Sequence, residues 1–278
     1  MTRRETHRQT VFPQAPSQED WDAMTDAQRD AVVDSLPNTV TDAEMSPPEG
    51  DQHFKAKIRA LDAISGFFQR QGKSIYLACE LPVYYPRTPR FAPDLLAVRD
   101  VDPHERSKWV CSAEGRGLEF VLEVHFGGDR KKDAERNVEL YARLRIPEYF
   151  IYDRKALRLY GYRLRSADAR QYSRLVPQEG RFKSEVLGLE LGIEDERLRF
   201  YFASAPLPQS DELISRLGHL VSQMEGRFDE EVRLRKEETR LRKEAEKALR
   251  HAERAAKSAM ARAEKAEAEL AALRKKTK

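Results

Sequence analysis

Two carboxylates stand in apolar surroundings. Asp94 follows Pro93 at the head of the run APDLLAV, and Glu123 lies inside FVLEVH. Strand alternation puts Val121, Glu123 and His125 on one face, and Leu122 and Val124 on the other. A carboxylate buried without a partner costs several kcal/mol, so each acid needs a cation, a proton or a hydrogen-bond network. If the two runs are neighbours in one sheet, the acids converge. Two carboxylates, a backbone carbonyl and water suit Mg²⁺ or Mn²⁺, hard ions that favour oxygen. Such an ion lowers the pKa of a water and neutralises charge on a phosphoryl group. Spacing alone leaves the alternative open, in which both acids sit in turns or salt bridges with nearby arginines.

The elements that must position these acids follow from periodicity. SQEDWDAMTDAQRDAVVDSLP reads as short helices, with a capping box from Thr25 to Gln28 and a stop at Pro37. HFKAKIRALDAISGFFQRQG has Phe54, Ile58, Leu61, Ile64 and Phe68 at helical spacing, closed by Gly72. SIYLACELPVYYP, RFAPDLLAVRD and LEFVLEVHF are strand-like, each bounded by Pro, Gly or charge. A helix over DRKKDAERNVELYARLRI and a strand at PEYFIYDR follow, and then hairpins to about residue 208. Helix, strands, helix, strand is an α/β layer pattern with a buried central sheet.

From about Ser210 Gly and Pro nearly vanish. Leu241, Ala245, Ala248, Ala252, Ala255 and Ala259 step by four and three, and Ala263, Ala266, Leu270 and Leu273 continue the seam. This predicts a long helix and a coiled coil whose small side chains bury little area per heptad. Residues 229–278 hold 16 Lys and Arg against 11 Asp and Glu, which fits a solvated oligomerisation helix or a basic arm on nucleic acid. The expected organisation is a polar, helical extension at 1–40, a core domain at 41–208 and the helix at 209–278.

PD at Pro93-Asp94 followed by EVH at Glu123 to His125 resembles the PD-(D/E)XK nuclease signature. EMSPPEGDQHF, APDLLAV, FVLEVHFGGDRKKDAERNVELYA and IPEYFIYD, in that order over about Glu44 to Asp153, resemble the "putative restriction endonuclease" family often called Uma-two. The resemblance implies a restriction-endonuclease-like core, a mixed sheet of four or five strands flanked by helices. It implies a metal held by Asp94 and Glu123 with the Val124 carbonyl, and DNA as substrate. His53 matches a histidine of the family's first helix region, where it contacts the site or fixes the helix.

The chain departs from the pattern. The superfamily has Lys two residues after the Glu, where this chain has His125. The Uma-type Ser is Phe126, and the family's helix Lys falls on Asn137. Asp133 does match the helix acid. A site lysine holds the attacking water and offsets developing charge. Lys131 or Lys132 are the nearest replacements, and His125, with an ordinary pKa of about 6.5, is the alternative proton acceptor. The plain reading of DRKKD is a solvated helix start.

Composition bounds the rest. A net charge of +3 over 278 residues does not by itself indicate nucleic acid. Cys79 and Cys111 lack zinc-like spacing and read as reduced core thiols. With no signal-like start and no long apolar window, a soluble, cytoplasmic protein without a membrane partner is expected. The expected function is a Mg²⁺- or Mn²⁺-dependent DNA endonuclease, homodimeric or higher through its C-terminal helix. The alternative is a nuclease-fold DNA- or protein-binding scaffold with weak or no hydrolysis.

Overall fold

The structure is a computed structural model that describes residues 13–40, 50–125 and 131–276, with side chains other than those of 131–134 and 270–276. Two short helices open it, α1 (Gln18–Asp22) and α2 (Asp26–Ser35), followed by the long α3 (Gly50–Arg70). The Thr25–Gln28 capping box is formed at the start of α2. Gly72, at φ +64°, ends α3, and the Lys73 N–H returns to the Phe68 carbonyl.

The strands β1 (Ile75–Ala78), β2 (Val83–Tyr84), β3 (Leu95–Arg99) and β4 (Trp109–Val110) come next. A one-turn α4 (Cys111–Glu114) leads to β5 (Phe120–His125), α5 (Lys131–Arg143), β6 (Glu148–Asp153), β7 (Arg158–Leu164) and β8 (Tyr172–Arg174). The central sheet runs β1-β3-β5-β6-β7-β8, with β5 and β6 parallel and the other neighbours antiparallel. It is a mixed sheet of six strands, more than the four or five of the family pattern, because the hairpin after β6 adds β7 and β8.

The sheet is covered on both faces, which explains why its strands are apolar at nearly every position. One face packs Leu95, Phe120, Leu122 and Val124 under Ile64 and Phe67 of α3. A second sheet completes that layer. It runs β12-β11-β10-β9, built from β9 (Phe182–Ser184), β10 (Leu189–Glu194), β11 (Arg197–Phe202) and β12 (Ala205–Pro206). The opposite face packs Leu96, Val121 and Tyr149 with Tyr141 of α5 and with Trp109.

The buried side of α3 coincides only in part with the stripe of large apolar residues, through Ile64 and Phe68. Phe54 is 61% exposed. The covered face runs through His53, Ala56, Lys57, Ala60, Ala63, Ile64, Phe67 and Phe68. Three alanines let the helix approach the sheet closely, and two polar residues, His53 and Lys57, share the buried side one turn apart.

By internal contacts the chain forms two units, Met1–Asp211 and Glu212–Lys278. The second lies within a single helix, α6 (Ser210–Lys276), about 100 Å long at 1.5 Å per residue. No helix among the described residues is long and apolar enough to cross a membrane. Cys79 is half-buried and Cys111 buried, both as free thiols.

Candidate metal centre

Antiparallel pairing of β3 with β5 sets Leu95 opposite Leu122. Asp94 therefore enters the sheet beside Glu123 and Val124. The Val124 N–H donates to Asp94 Oδ2 at 2.8 Å, and the Asp94 N–H donates to Glu123 Oε2 at 3.2 Å. Each acid is thus held by the other strand's backbone. The two strands are neighbours, so the two carboxylates lie side by side, and Val124 joins them through its N–H.

Helix α3 supplies the other side of Asp94. His53 Nε2 lies 2.9 Å from Asp94 Oδ1, and Lys57 Nζ lies 3.6 Å from the same oxygen. Lys57 also donates to Glu80 Oε1 at 2.5 Å. Glu80 follows β1 with φ +54°, and its N–H is bonded to the Pro93 carbonyl. That left-handed backbone, uncommon for a residue with a Cβ, fixes the loop beside the Pro93-Asp94 step. Helix α5 supplies the far side of Glu123, where the Tyr141 hydroxyl donates to Glu123 Oε1 at 2.8 Å.

The two acids are driven in opposite directions. Burial alone would push the Asp94 carboxyl up. The His53 hydrogen bond and charge, the Val124 N–H and Lys57 more than offset it, so its pKa is lowered. For Glu123, burial is the largest influence and the neighbouring Asp94 charge adds to it. The Tyr141 and Asp94 N–H bonds do not compensate, so its pKa is raised well above the ordinary value. Tyr141 is likewise pushed up, by burial and then by Glu123. The surroundings of Asp94 thus favour its anion, and those of Glu123 favour its protonated form.

His53, Glu80 and Asp94 each offer a ligand atom within 4.8 Å of the others. One imidazole and two carboxylates fit a divalent ion of the Mn²⁺ or Mg²⁺ type. The Lys57 ammonium already lies against two of these three groups and balances part of their charge.

The remaining candidates are placed as follows. His125 ends β5, opposite Asp153 in the parallel ladder, on the face of Glu123 and half-buried. Phe126 and the side chains of Lys131, Lys132 and Asp133 lie outside the described residues. Lys57, Glu80 and Tyr141 are the site neighbours that sequence reading passed over. Lys57 carried one legible signal, its position four residues after His53. Tyr141 packs edge-on against Tyr149 at 4.9 Å, and its hydroxyl also serves Glu123.

A family model described as "Putative restriction endonuclease" (Uma2) matches residues 41–199. A crystal structure titled as a putative nuclease belonging to DUF820 from Anabaena variabilis ATCC 29413 is similar at 12% identity. Its TM-score is 0.36, with 47% of this chain and 70% of that chain covered. No curated protein matches. The family match takes in β1 to β10 and every residue of the centre just described, and the chain belongs to the Uma2 family of restriction-endonuclease-like proteins.

Proposed function

We propose that the protein is a divalent-metal-dependent endonuclease that hydrolyses phosphodiester bonds in DNA. The observation that carries this reading is the reciprocal clasp of Asp94 and Glu123 across β3 and β5, beside His53 and Glu80. Asp94 would hold Mg²⁺ or Mn²⁺, with His53, Glu80 and Glu123 as the available further donors. When bound, the ion supplies charge neutralisation at the phosphoryl group and a more acidic water.

The chain's own residues do the rest. Asp94 stays anionic because His53, Lys57 and the Val124 N–H stabilise its charge, so it presents a preformed ligand at neutral pH. The Tyr141 hydroxyl and the Asp94 N–H fix the Glu123 carboxyl in one orientation. His125, on the same strand face, is the candidate proton acceptor, with Lys131 as the alternative cation at the start of α5. Two protomers joined through α6 would offer two such centres for two strands. Leu213, Leu217, Leu220 and Met224 are exposed and step by four and three. Leu241 lies 21 residues, three full heptads, beyond Leu220, so both apolar stretches share one seam.

One observation favours the second reading, a nuclease-fold scaffold with weak or no hydrolysis. Both Glu123 oxygens are already bonded within the protein, and Lys57 balances Asp94 and Glu80. The deciding experiment is cleavage of supercoiled plasmid and single-stranded DNA by purified protein with Mg²⁺, Mn²⁺ or EDTA, beside Asp94→Ala and Glu123→Ala. Metal-dependent cleavage lost in both variants is the expected result. Well-folded protein that cuts under none of these conditions would favour the scaffold.

A further inference from the structure

Lys57 is the least expected member of the centre. It lies on the buried side of α3, 5% exposed, one turn beyond His53. A lysine ordinarily keeps its ammonium in water. Here the ammonium is turned inward, 2.5 Å from Glu80 Oε1 and 3.6 Å from Asp94 Oδ1. Those two carboxylates, with His53, form a group close enough together to hold an ion. Asp94 Oδ1 therefore already has an imidazole nitrogen and an ammonium against it.

A divalent ion bonds carboxylate oxygens at about 2.1 Å and gathers several of them. An ion at Asp94 Oδ1 and the Glu80 carboxylate would meet an ammonium at hydrogen-bond distance from Glu80 and 3.6 Å from Asp94, and the two cations repel at short range. Glu80 is suited to a change of partner. Its backbone is pinned by the bond to the Pro93 carbonyl, while its side chain is 45% exposed and open to solvent. Glu123 is less suited, since Tyr141 and the Asp94 N–H hold both of its oxygens.

We propose that Lys57 is the resident cation of this centre: its ammonium neutralises Asp94 and Glu80 in the metal-free protein, and a divalent ion enters by displacing it, taking Asp94, Glu80 and His53 as donors. The proposal rests on the reading that the metal binds at Asp94. It adds that Glu80 is a ligand and that metal affinity is set by an internal competitor. In the metal-free protein the lysine keeps the carboxylates from repelling one another, at the expense of affinity for the ion.

The test is calorimetric titration of Mn²⁺ into the metal-free full-length protein, comparing wild type, Lys57→Met, Lys57→Arg and Lys57→Met with Glu80→Gln. Lys57→Met should bind at least tenfold more tightly than wild type, Lys57→Arg no more tightly, and the added Glu80→Gln should reverse the gain. Binding by Lys57→Met that is equal to or weaker than wild type overturns the proposal, as does absence of binding in both. A measurement on the wild type covers the case in which Lys57→Met does not fold. Acetylation of Lys57, followed by mass spectrometry, should rise severalfold in saturating Mn²⁺, and an unchanged rate overturns the proposal. The plasmid assay is separate. Metal-dependent cleavage with no change at Lys57 would sink this inference and leave the nuclease reading standing. Displacement of Lys57 without cleavage would do the reverse.

Discussion

Asp94 and Glu123 are neighbours across one pair of strands, share a backbone hydrogen bond and have opposite surroundings. Asp94 faces α3, where His53 and Lys57 place positive charge and donors at its carboxylate. Glu123 faces α5, where Tyr141 offers a single hydroxyl inside an aromatic layer that includes Tyr149. The first acid is lowered and the second raised. The difference teaches that the α3 side favours the anion of its acid, whereas the α5 side favours the protonated form of the other. Like charges this close also resist being ionised together.

The largest expected effect is on cleavage. Asp94→Asn keeps the size of the side chain but removes the permanent charge, and should lower the metal-dependent rate by on the order of a thousandfold, equivalent to several kcal/mol of lost charge stabilisation. Glu123→Gln should produce a loss of the same order only if Glu123 becomes an anion in the loaded protein. Single-turnover cleavage in Mg²⁺ measures both. A Glu123→Gln enzyme with near-wild-type rate would break the symmetry and leave the α3 side as the whole metal site.

A second test separates the acids without any metal. The pKa of Asp94 is lowered from 3.8, so its contribution to stability is present above the unfolded value and lost as pH falls through the folded one. Asp94→Asn should therefore be less stable than wild type at pH 7, with the gap closing as pH drops below about 4. The pKa of Glu123 is raised from 4.5, so the folded protein holds a proton that the unfolded chain gives up, and wild-type stability falls as pH rises above that value. Glu123→Gln mimics the neutral form and should be more stable than wild type at pH 8, with the advantage vanishing toward pH 4. Denaturant unfolding in EDTA from about pH 2 to about pH 8 reads both slopes. Slopes of the same sign would show that the two environments are not opposed.

How much of this was legible in the sequence differs between the two sides. Pro93-Asp94 and Glu123 stand out because strand alternation and apolar neighbours make an acid conspicuous, and the register of β3 on β5 brings them together as expected. The long helix was legible from composition. On the α3 side the helix and His53 were legible, and Lys57 was not. Counting large apolar residues selected Phe54, Ile58, Leu61, Ile64 and Phe68; Ile64 and Phe68 are buried and Phe54 is exposed, while the helix also buries alanines together with His53 and Lys57. A buried lysine is indistinguishable in sequence from a solvated one, because only the position of Glu80 and Asp94 across the loop makes its burial tolerable. Nor could the left-handed turn at Glu80 be read, since no glycine or asparagine marks it.

The smallest expected effect sharpens the α5 side. Tyr141→Phe removes one hydroxyl and leaves the ring, which still packs edge-on against Tyr149. Glu123 Oε1 then loses its donor in a site with little access to water. If the Tyr141 bond only satisfies a neutral carboxyl, the variant should lose roughly 1 kcal/mol, the net worth of one hydrogen bond, at every pH. If it also favours the carboxylate, the pKa of Glu123 should rise further. The loss should then be larger at pH 8 than at pH 5, because more of the unfolding range lies where only the unfolded chain is ionised. Unfolding of Tyr141→Phe at the two pH values, beside Glu123→Gln with Tyr141→Phe, distinguishes these outcomes. In the double variant the pH dependence should disappear, since the group that titrates is gone. A pH-dependent loss that survives Glu123→Gln would place its origin elsewhere in the aromatic layer.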